Sequence, residues 1–341
     1  MKTLLRCLLA LLIISSLPLS AQETTPEPKQ PRGDLLIVVG AGGTPELVEQ
    51  FHSWGRQWVT GGEQGQLRVK VIGTDPVAKV DDRTSLQQAL KLAEAESELP
   101  LWLVLIGHGS FDGRQTKLNL RGPDVAIEEL GTWLQPIRRP LALIGSHSAS
   151  GSLLEVASGP RRIVISATKN AAEINMSHFG GYLVQALLDP TADLDKDHQV
   201  SLLEGFLRAS RQTREFYEAD GRLETEHALL DDSGDSLGTR AESFTGVTPA
   251  SDIDPEMADG PRAHQWHLIP SQEELQVPPD IARRRDELEL ELWKLRRKKQ
   301  QLGEEAYYAQ IEVILRELAK INLGLPVDTP TNPVKSSGSG F

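Results

Sequence analysis

Residues 101–110 read LWLVLIGHGS, an unbroken apolar run that ends in a histidine between two glycines. A run without alternating polar residues is typical of a parallel strand that is covered on both faces. Four further apolar runs occur: Leu35–Val39, Leu67–Ile72, Leu141–Ile144 and Ile163–Ile165. The second run is interrupted by Arg68 and Lys70, as expected for an edge strand. Helical patterns separate the runs, which predicts an α/β fold, a three-layer α/β/α sandwich around a mainly parallel sheet.

The remainder of the chain divides into segments of different composition. Residues 34–240 hold the apolar runs and form the predicted α/β domain. Residues 241–278 are rich in Asp, Gly, Ser and Pro, which predicts an irregular linker. Residues 279–322 carry apolar residues at heptad-like spacing with a break near Gly303, which predicts a helical hairpin or coiled coil; one long solvated helix is the alternative. Residues 323–341 are rich in Pro, Ser and Gly and are expected to be disordered.

The N-terminal residues have the pattern of a secretory signal. A positive start with Lys2 and Arg6 precedes an apolar stretch, and Ala21 offers a small residue for cleavage. We therefore expect residues 1–21 to be a signal peptide, residues 22–33 to be a flexible tether, and the mature protein to be secreted or periplasmic. An uncleaved N-terminal anchor is the alternative. No later segment predicts a membrane-spanning helix.

Charge and cysteine content exclude several classes of protein. The net charge of −12 opposes binding to nucleic acid phosphates, so no nucleic-acid partner is expected. The only cysteine is Cys7, within the predicted signal. The mature chain is therefore expected to have no disulfide, no thiolate metal site and no cysteine nucleophile.

Two neighbouring apolar runs end in residues suited to nucleophilic chemistry. His108 follows the run quoted above, and the next run continues into the serine-rich turn GSHSASGS, residues 145–152. Active sites of open parallel sheets gather at the carboxyl ends of the strands. We therefore predict that His108 and Ser148 face one another as base and nucleophile. Gly109 and Gly151 are expected to shape the turns and to present amides to an oxyanion.

Together these motifs resemble those of the legumain and caspase superfamily of cysteine peptidases (clan CD), over residues 34–240. That family places a His-Gly pair after one strand and a Cys-x-Ser-Gly motif after the next. His108-Gly109 matches the first motif, and residues 148–152 match the second, except that Ser148 stands at the cysteine position. The segment from Thr225 to Asp235 is similar to one in bacterial members. The resemblance implies an exported bacterial protein with a caspase/legumain-like fold.

The serine decides which function this resemblance implies. The pKa of a cysteine thiol is about 8.5, so a neighbouring imidazole can take its proton and leave the thiolate. A serine hydroxyl needs a well-aligned base that a third group orients. The first hypothesis is therefore a catalytically inactive pseudopeptidase that acts as a binding or assembly module for a peptide or protein ligand.

Three other interpretations stay open. The first is an active serine-type hydrolase that uses Ser148 and His108, with help from His147. The second is an unrelated doubly wound domain in which His108 follows a strand by chance. The third assigns partner binding or self-association to the C-terminal helices, residues 279–322, with the α/β domain as a scaffold.

Residues 193–204 read DLDKDHQVSLLE and match an EF-hand calcium loop. The oxygen ligands expected at this spacing come from Asp193, Asp195, Asp197, Gln199 (through its carbonyl), Ser201 and Glu204. His198 occupies the position that usually needs glycine, because the backbone there has φ > 0. The sequence predicts a Ca²⁺ site. The alternative is an acidic helix N-terminus in which Ser201 and Glu204 form a capping box.

Overall fold

The computed structural model describes residues 30–94, 97–249, 254 and 257–325. The predicted signal peptide, most of the predicted tether and most of the predicted C-terminal tail lie outside the described residues. In the described part of the chain, no helix is both long and apolar enough to cross a membrane.

Eleven strands occur among the described residues, and six of them form the central sheet. In chain order they are β1 (Asp34–Val39), β2 (Arg68–Ile72), β3 (Leu101–Gly107), β4 (Gly109–Phe111), β5 (Thr116–Leu118), β6 (Val125–Ala126), β7 (Leu141–His147), β8 (Arg162–Ser166), β9 (Leu229–Asp231), β10 (Phe244–Thr245) and β11 (Thr248–Pro249). The central sheet has the order β2-β1-β3-β7-β8-β9, with β9 alone antiparallel. The strand β2 lies at an edge, as its alternating sequence predicted. A small antiparallel sheet, β4-β5-β6, follows the end of β3.

Helices cover both faces of the central sheet. They are α1 (Pro45–Gln64), α2 (Asp82–Ala93), α3 (Ile127–Leu134), α4 (Leu153–Ala157), α5 (Phe179–Leu188), α6 (Leu202–Ala219), α7 (Pro279–Arg297), α8 (Lys299–Leu302) and α9 (Glu304–Asn322). The helices α1, α5 and α6 pack on what we call the first face, and α2, α3 and α4 pack on the second face. The predicted three-layer α/β arrangement with a mainly parallel sheet is confirmed.

Burial on both faces explains why β3 reads as a continuous apolar run. Trp102, Val104 and Ile106 enter the core of the first face, whereas the leucines between them enter the core of the second face. All of these side chains are at most 2% exposed. Burying each one stabilises the fold by roughly 1.5–3 kcal/mol relative to exposure. A polar residue on either side of this strand would therefore lose that contribution and need a buried partner.

The segment predicted as an irregular linker, residues 241–278, contains β10 and β11, and part of its described chain belongs to the core. Ala263 and Leu268 are fully buried against the first face. The ring of Trp266 lies 5.1 Å from that of Trp102. Its apolar residues have neither helical nor strand spacing, so composition alone indicated a linker. The packing makes this segment part of the α/β body.

The C-terminal residues form two long helices that pack on one another. Gly303, with φ +74°, separates the short α8 from α9. Leu288 and Leu292 of α7 form a small core with Leu318 of α9. The body holds α7 through Arg285, whose guanidinium donates to Glu274 at 2.7 and 2.9 Å.

Two buried aspartates tie the 241–278 segment to the loop after β9. Asp232 accepts hydrogen bonds from the amides of Gly260 (3.0 Å) and Ala263 (2.7 Å). Asp259 accepts from the amide of Asp232 (2.9 Å) and from the hydroxyl of Thr239 (2.6 Å). Burial raises the pKa of Asp232 to about 6. Burial and the neighbouring Asp232 charge raise the pKa of Asp259 to about 7.

Replacing Asp259 by asparagine is expected to remove a pH dependence of stability. Between pH 3.8, the usual aspartate value, and about 7, the folded protein holds a proton that the unfolded chain has lost. Stability therefore falls as pH rises through this window. Asparagine keeps an oxygen for the Asp232 amide and carries no charge. The free energy of unfolding should be measured with urea at pH 5 and pH 8. Relative to the wild type, the free energy of unfolding of the variant should be higher at pH 8 than at pH 5 by roughly 2 kcal/mol.

The exposed Asp220 provides a matched control. The Asp220→Asn variant should follow the wild type at both pH values, because that carboxylate faces solvent beside Arg222. A free-energy difference between Asp259→Asn and wild type that is equal at pH 5 and pH 8 would contradict the proton linkage.

Candidate functional site

The central strands β3 and β7 deliver His108 and Ser148 to the same edge of the sheet. Their register pairs Gly107 with His147, so the two following residues lie side by side. Side chains alternate along a strand, which places His108 and Ser148 on the first face and His147 on the second. The His108 ring accordingly makes an edge contact with Phe51 of α1, with a centroid distance of 5.1 Å. The structure thus places His108 and Ser148 directly after paired positions of neighbouring strands.

The hydroxyl of Ser148 is held by the backbone of Gly109. Its Oγ accepts from the Gly109 amide at 3.0 Å and donates to the Gly109 carbonyl at 3.1 Å. Ser148 is 1% exposed. Among the described residues, no hydrogen bond joins this hydroxyl to the His108 imidazole. A carbonyl oxygen does not take up the proton, so the hydroxyl is not activated in this arrangement.

The amides of Gly109 and Gly151, which the sequence assigns to an oxyanion, already have protein partners. That of Gly109 donates to Ser148 Oγ, and that of Gly151 donates to Thr168 Oγ1 at 3.0 Å. Gly109 is also required sterically, because a Cβ there would lie 2.0 Å from the Ser148 carbonyl oxygen. Neither amide is therefore free to stabilise an oxyanion in this conformation.

His147 is enclosed on the second face and contacts the backbone of Ser148 rather than its hydroxyl. The ring is 0% exposed, and Nδ1 donates to the Ser148 carbonyl at 2.8 Å. Burial lowers the pKa of His147 to about 4, so the ring is neutral near pH 7. Its Nε2 has no hydrogen-bond partner among the described residues. His147 thus supports the turn and is not placed to assist the Ser148 side chain.

The turn after Ser148 is fixed by a carboxylate–imidazole pair. Ala149 adopts the left-handed conformation, φ +60°, and its amide donates to the Glu173 carbonyl at 2.8 Å. The Glu173 carboxylate binds Nδ1 of His227 at 2.5 Å and the His227 amide at 3.1 Å. No motif joins the two residues, which lie 54 positions apart.

A second buried carboxylate closes the N-terminus of α5 beside the site. Glu226 accepts from the hydroxyl of Ser177 at 2.6 Å and from the amides of His178 and Phe179 at 2.9 to 3.1 Å. The first turn of α5 lies directly under β7, because a Cβ at Gly180 would be 2.2 Å from the Ser146 side chain. The positive end of α5 is therefore neutralised from within the chain.

The acidic loop brings three of the six predicted calcium ligands together. The carboxylate groups of Asp193, Asp195 and Asp197 each offer an oxygen within 4.8 Å of the other two. His198 adopts φ +69°, the conformation expected at its position in the loop. Hard oxygen donors of this kind suit Ca²⁺.

The remaining predicted ligands are engaged with other groups. Glu204 Oε2 accepts from the Ser201 amide (2.8 Å) and hydroxyl (2.7 Å), and the Glu204 amide donates to Ser201 Oγ at 3.2 Å. This is the capping box of α6 that formed the alternative interpretation. Glu204 Oε1 accepts from the Leu194 amide at 2.6 Å. The side chain of Gln199 accepts from the Ser271 amide at 3.0 Å, which leaves the main-chain carbonyl predicted as the ligand out of that contact. The Ca²⁺ site stays a prediction, carried by the three aspartates.

Residues 231–236 repeat the hydrogen-bond pattern of residues 193–198. In each segment the first aspartate accepts from the amides three and five positions later, and both donors have positive φ: Lys196 and His198 in the first, Gly234 and Ser236 in the second. A sequence comparison misses this likeness because only the aspartates at the first and fifth positions are shared.

No protein-family model and no curated protein matches the sequence. Among solved structures, the Drosophila initiator caspase Dronc is 15% identical with a TM-score of 0.41, covering 59% of this chain and 79% of its own. A protein from Geobacter sulfurreducens is 12% identical with a TM-score of 0.40, covering 62% and 98%. Caspase-1 from Spodoptera frugiperda is 10% identical with a TM-score of 0.38, covering 59% and 86%. Likeness at this level carries no argument about chemistry.

Isothermal titration calorimetry of the full chain with Ca²⁺ tests the predicted cation site. Asp195→Asn is expected to weaken binding at least about tenfold, since it removes one of three converging carboxylates. This residue is preferable to Glu204, whose loss would also remove the α6 cap. The variant Asp220→Asn should bind like the wild type. Absence of binding heat with the wild-type protein would refute the prediction.

Proposed function

We propose that this protein is an exported pseudopeptidase, whose α/β body retains the cleft of a peptidase fold without covalent chemistry and serves as a binding or assembly module. One observation carries the proposal. The hydroxyl of Ser148 both donates to and accepts from the backbone of Gly109, and no hydrogen bond to His108 is present among the described residues.

This contact blocks two requirements of acyl transfer at once. The proton of Ser148 points to a carbonyl, whereas attack requires that His108 receive it. The Gly109 amide is occupied by Ser148, whereas an oxyanion requires a free donor. Rotating Ser148 toward His108 would leave the buried Gly109 amide and carbonyl unpaired, at about 1–3 kcal/mol for each group.

The polar groups left at the carboxyl edge support the binding part of the proposal. His108 is partly exposed, and Lys169 and Asn170 are exposed after β8. These side chains supply hydrogen-bond donors for the carbonyl groups of a peptide. A peptide or protein ligand is therefore the class of partner that the edge suits.

Restoring the thiol tests whether the cleft is otherwise intact. In Ser148→Cys, the thiol is a weaker hydrogen-bond donor and acceptor than the hydroxyl, so Gly109 holds it less firmly. His108 can then generate the thiolate. We expect measurable cleavage in a peptide-library assay, and its loss in the double variant with His108→Ala. Full activity of the double variant would contradict the pairing of these two residues.

The wild-type protein provides the test against an active serine hydrolase. A fluorophosphonate probe is expected to leave the wild type unlabelled. Labelling of the wild type that disappears in Ser148→Ala would overturn the proposal and establish a serine nucleophile.

Export is proposed from the N-terminal pattern alone. If the chain is processed after Ala21, protein recovered outside the cytoplasm should begin at Gln22. Edman sequencing or intact mass measures this directly. Recovery of the unprocessed chain with the cytoplasmic fraction would count against export.

A further inference from the structure

The helix α9 has an apolar face that α7 covers only in part. One stripe of α9, Ile311, Ile314, Leu318 and Ile321, packs on Leu288 and Leu292 of α7. An adjacent stripe is offset around the helix and shares two of these residues. It consists of Tyr308, Ile311, Leu315 and Leu318, and we call it the outer stripe. Both stripes have the alternating three- and four-residue spacing of a helix seam.

The unshared members of the outer stripe are exposed. Tyr308 is 52% exposed and Leu315 is 44% exposed. A third exposed apolar residue of α9, Val313, lies on the opposite side of the helix. Single exposed apolar residues are normal, but two that adjoin the same packed stripe extend its apolar surface.

A helix with two adjoining apolar stripes fits a bundle in which it has two neighbours. Within the described ranges, the apolar core that includes α9 draws its other members from α7 alone. The outer stripe is also continuous with that contact, because Ile311 and Leu318 belong to both stripes. A further helix placed on the outer stripe would cover the partly exposed Ile311 together with the exposed Tyr308 and Leu315.

The charges favour a second copy of this chain as the occupant. Residues 279–322 carry ten basic and nine acidic side chains, in a protein whose net charge is −12. Two hairpins therefore meet with little net repulsion, unlike two α/β bodies. In an antiparallel pairing centred on Leu315, the side of α9 that carries Glu312 and Arg316 adjoins the same side of the other copy. Glu312 and Arg316 form an ion pair within the chain at 2.5 Å. The pairs of the two copies would then lie next to one another, with the carboxylate of each beside the guanidinium of the other.

We propose that α9 pairs with α9 of a second copy through the outer stripe, so that two C-terminal hairpins form a four-helix bundle and the protein is a two-fold symmetric homodimer. The same patch serves on both subunits, as two-fold symmetry requires. This assignment is independent of whether Ser148 has any catalytic role. The sequence analysis assigned self-association to residues 279–322 as a whole, and this proposal assigns it to one face of α9.

Light scattering after size exclusion, supported by sedimentation velocity, measures the mass of the full chain. The wild type is expected near twice 37.5 kDa. In Leu315→Glu, each of the two copies places a carboxylate at the centre of the contact between the helices. The dimer dissociation constant should rise at least about tenfold, so that the variant is a monomer at low micromolar concentration. The matched control is Val313→Glu, an equally drastic change at a residue that is 62% exposed on the opposite side of α9. It should remain dimeric.

The circular dichroism spectrum without urea should be unchanged in both variants, which separates loss of dimer from loss of fold. The urea midpoint should fall only in Leu315→Glu, because association stabilises the folded chain. A monomeric wild type would overturn the proposal, as would equal dissociation of both variants. A third outcome concerns the tail after residue 325. If the wild type is monomeric and removal of residues 326–341 alone produces the dimer, the tail is the occupant of the outer stripe and the proposal fails.

Discussion

Complete burial of the two central strands is the constraint from which the rest of the structure follows. No side chain of β3 from Leu101 to Ile106 meets solvent on either face of the sheet. Helices must therefore cover both sides, and polar side chains appear only toward the carboxyl ends of these strands. After β3 the first is His108, and on β7 the buried Ser146 and His147 precede Ser148. The position of the site is thus a consequence of where apolar sequence stops.

The same burial explains how the polar groups at this edge are satisfied. Ser148, His147 and Glu226 are all nearly inaccessible to water. A buried polar group needs a partner, and the nearest partners here are backbone amides and carbonyls of the turns. The result is a rigid edge in which side chains hold loops in place. An active serine hydrolase would need the opposite arrangement, with a hydroxyl left free for its base.

The sequence predicts the features that depend on local pattern and misses those that depend on distant pairs. Apolar runs located the strands of the parallel sheet. The His-Gly and Ser-rich turns follow adjacent runs, which predicted that His108 and Ser148 lie at the same edge of the sheet. Glu173 pairs with His227, which lies 54 positions later in the chain. Asp259 accepts a hydrogen bond from the amide of Asp232, which lies 27 positions earlier. No spacing rule connects such residues. Leu268 likewise enters the core from a segment whose composition indicated a linker.

The enclosed imidazole of His147 gives the serine turn a sensitivity to acid. The ordinary pKa of a histidine is 6.5, and burial lowers the pKa of His147 in the folded protein to about 4. Between pH 4 and pH 6.5, this histidine is therefore protonated in the unfolded chain and neutral in the folded chain. The contribution of His147 to the free energy of unfolding is therefore fully present above pH 6.5. It declines by roughly 3 kcal/mol as the pH falls to 4. The added proton must go to Nε2, because Nδ1 already carries the hydrogen that it donates to the Ser148 carbonyl. Nε2 is buried and has no hydrogen-bond partner among the described residues, so acid would loosen the chain first at the carboxyl end of β7.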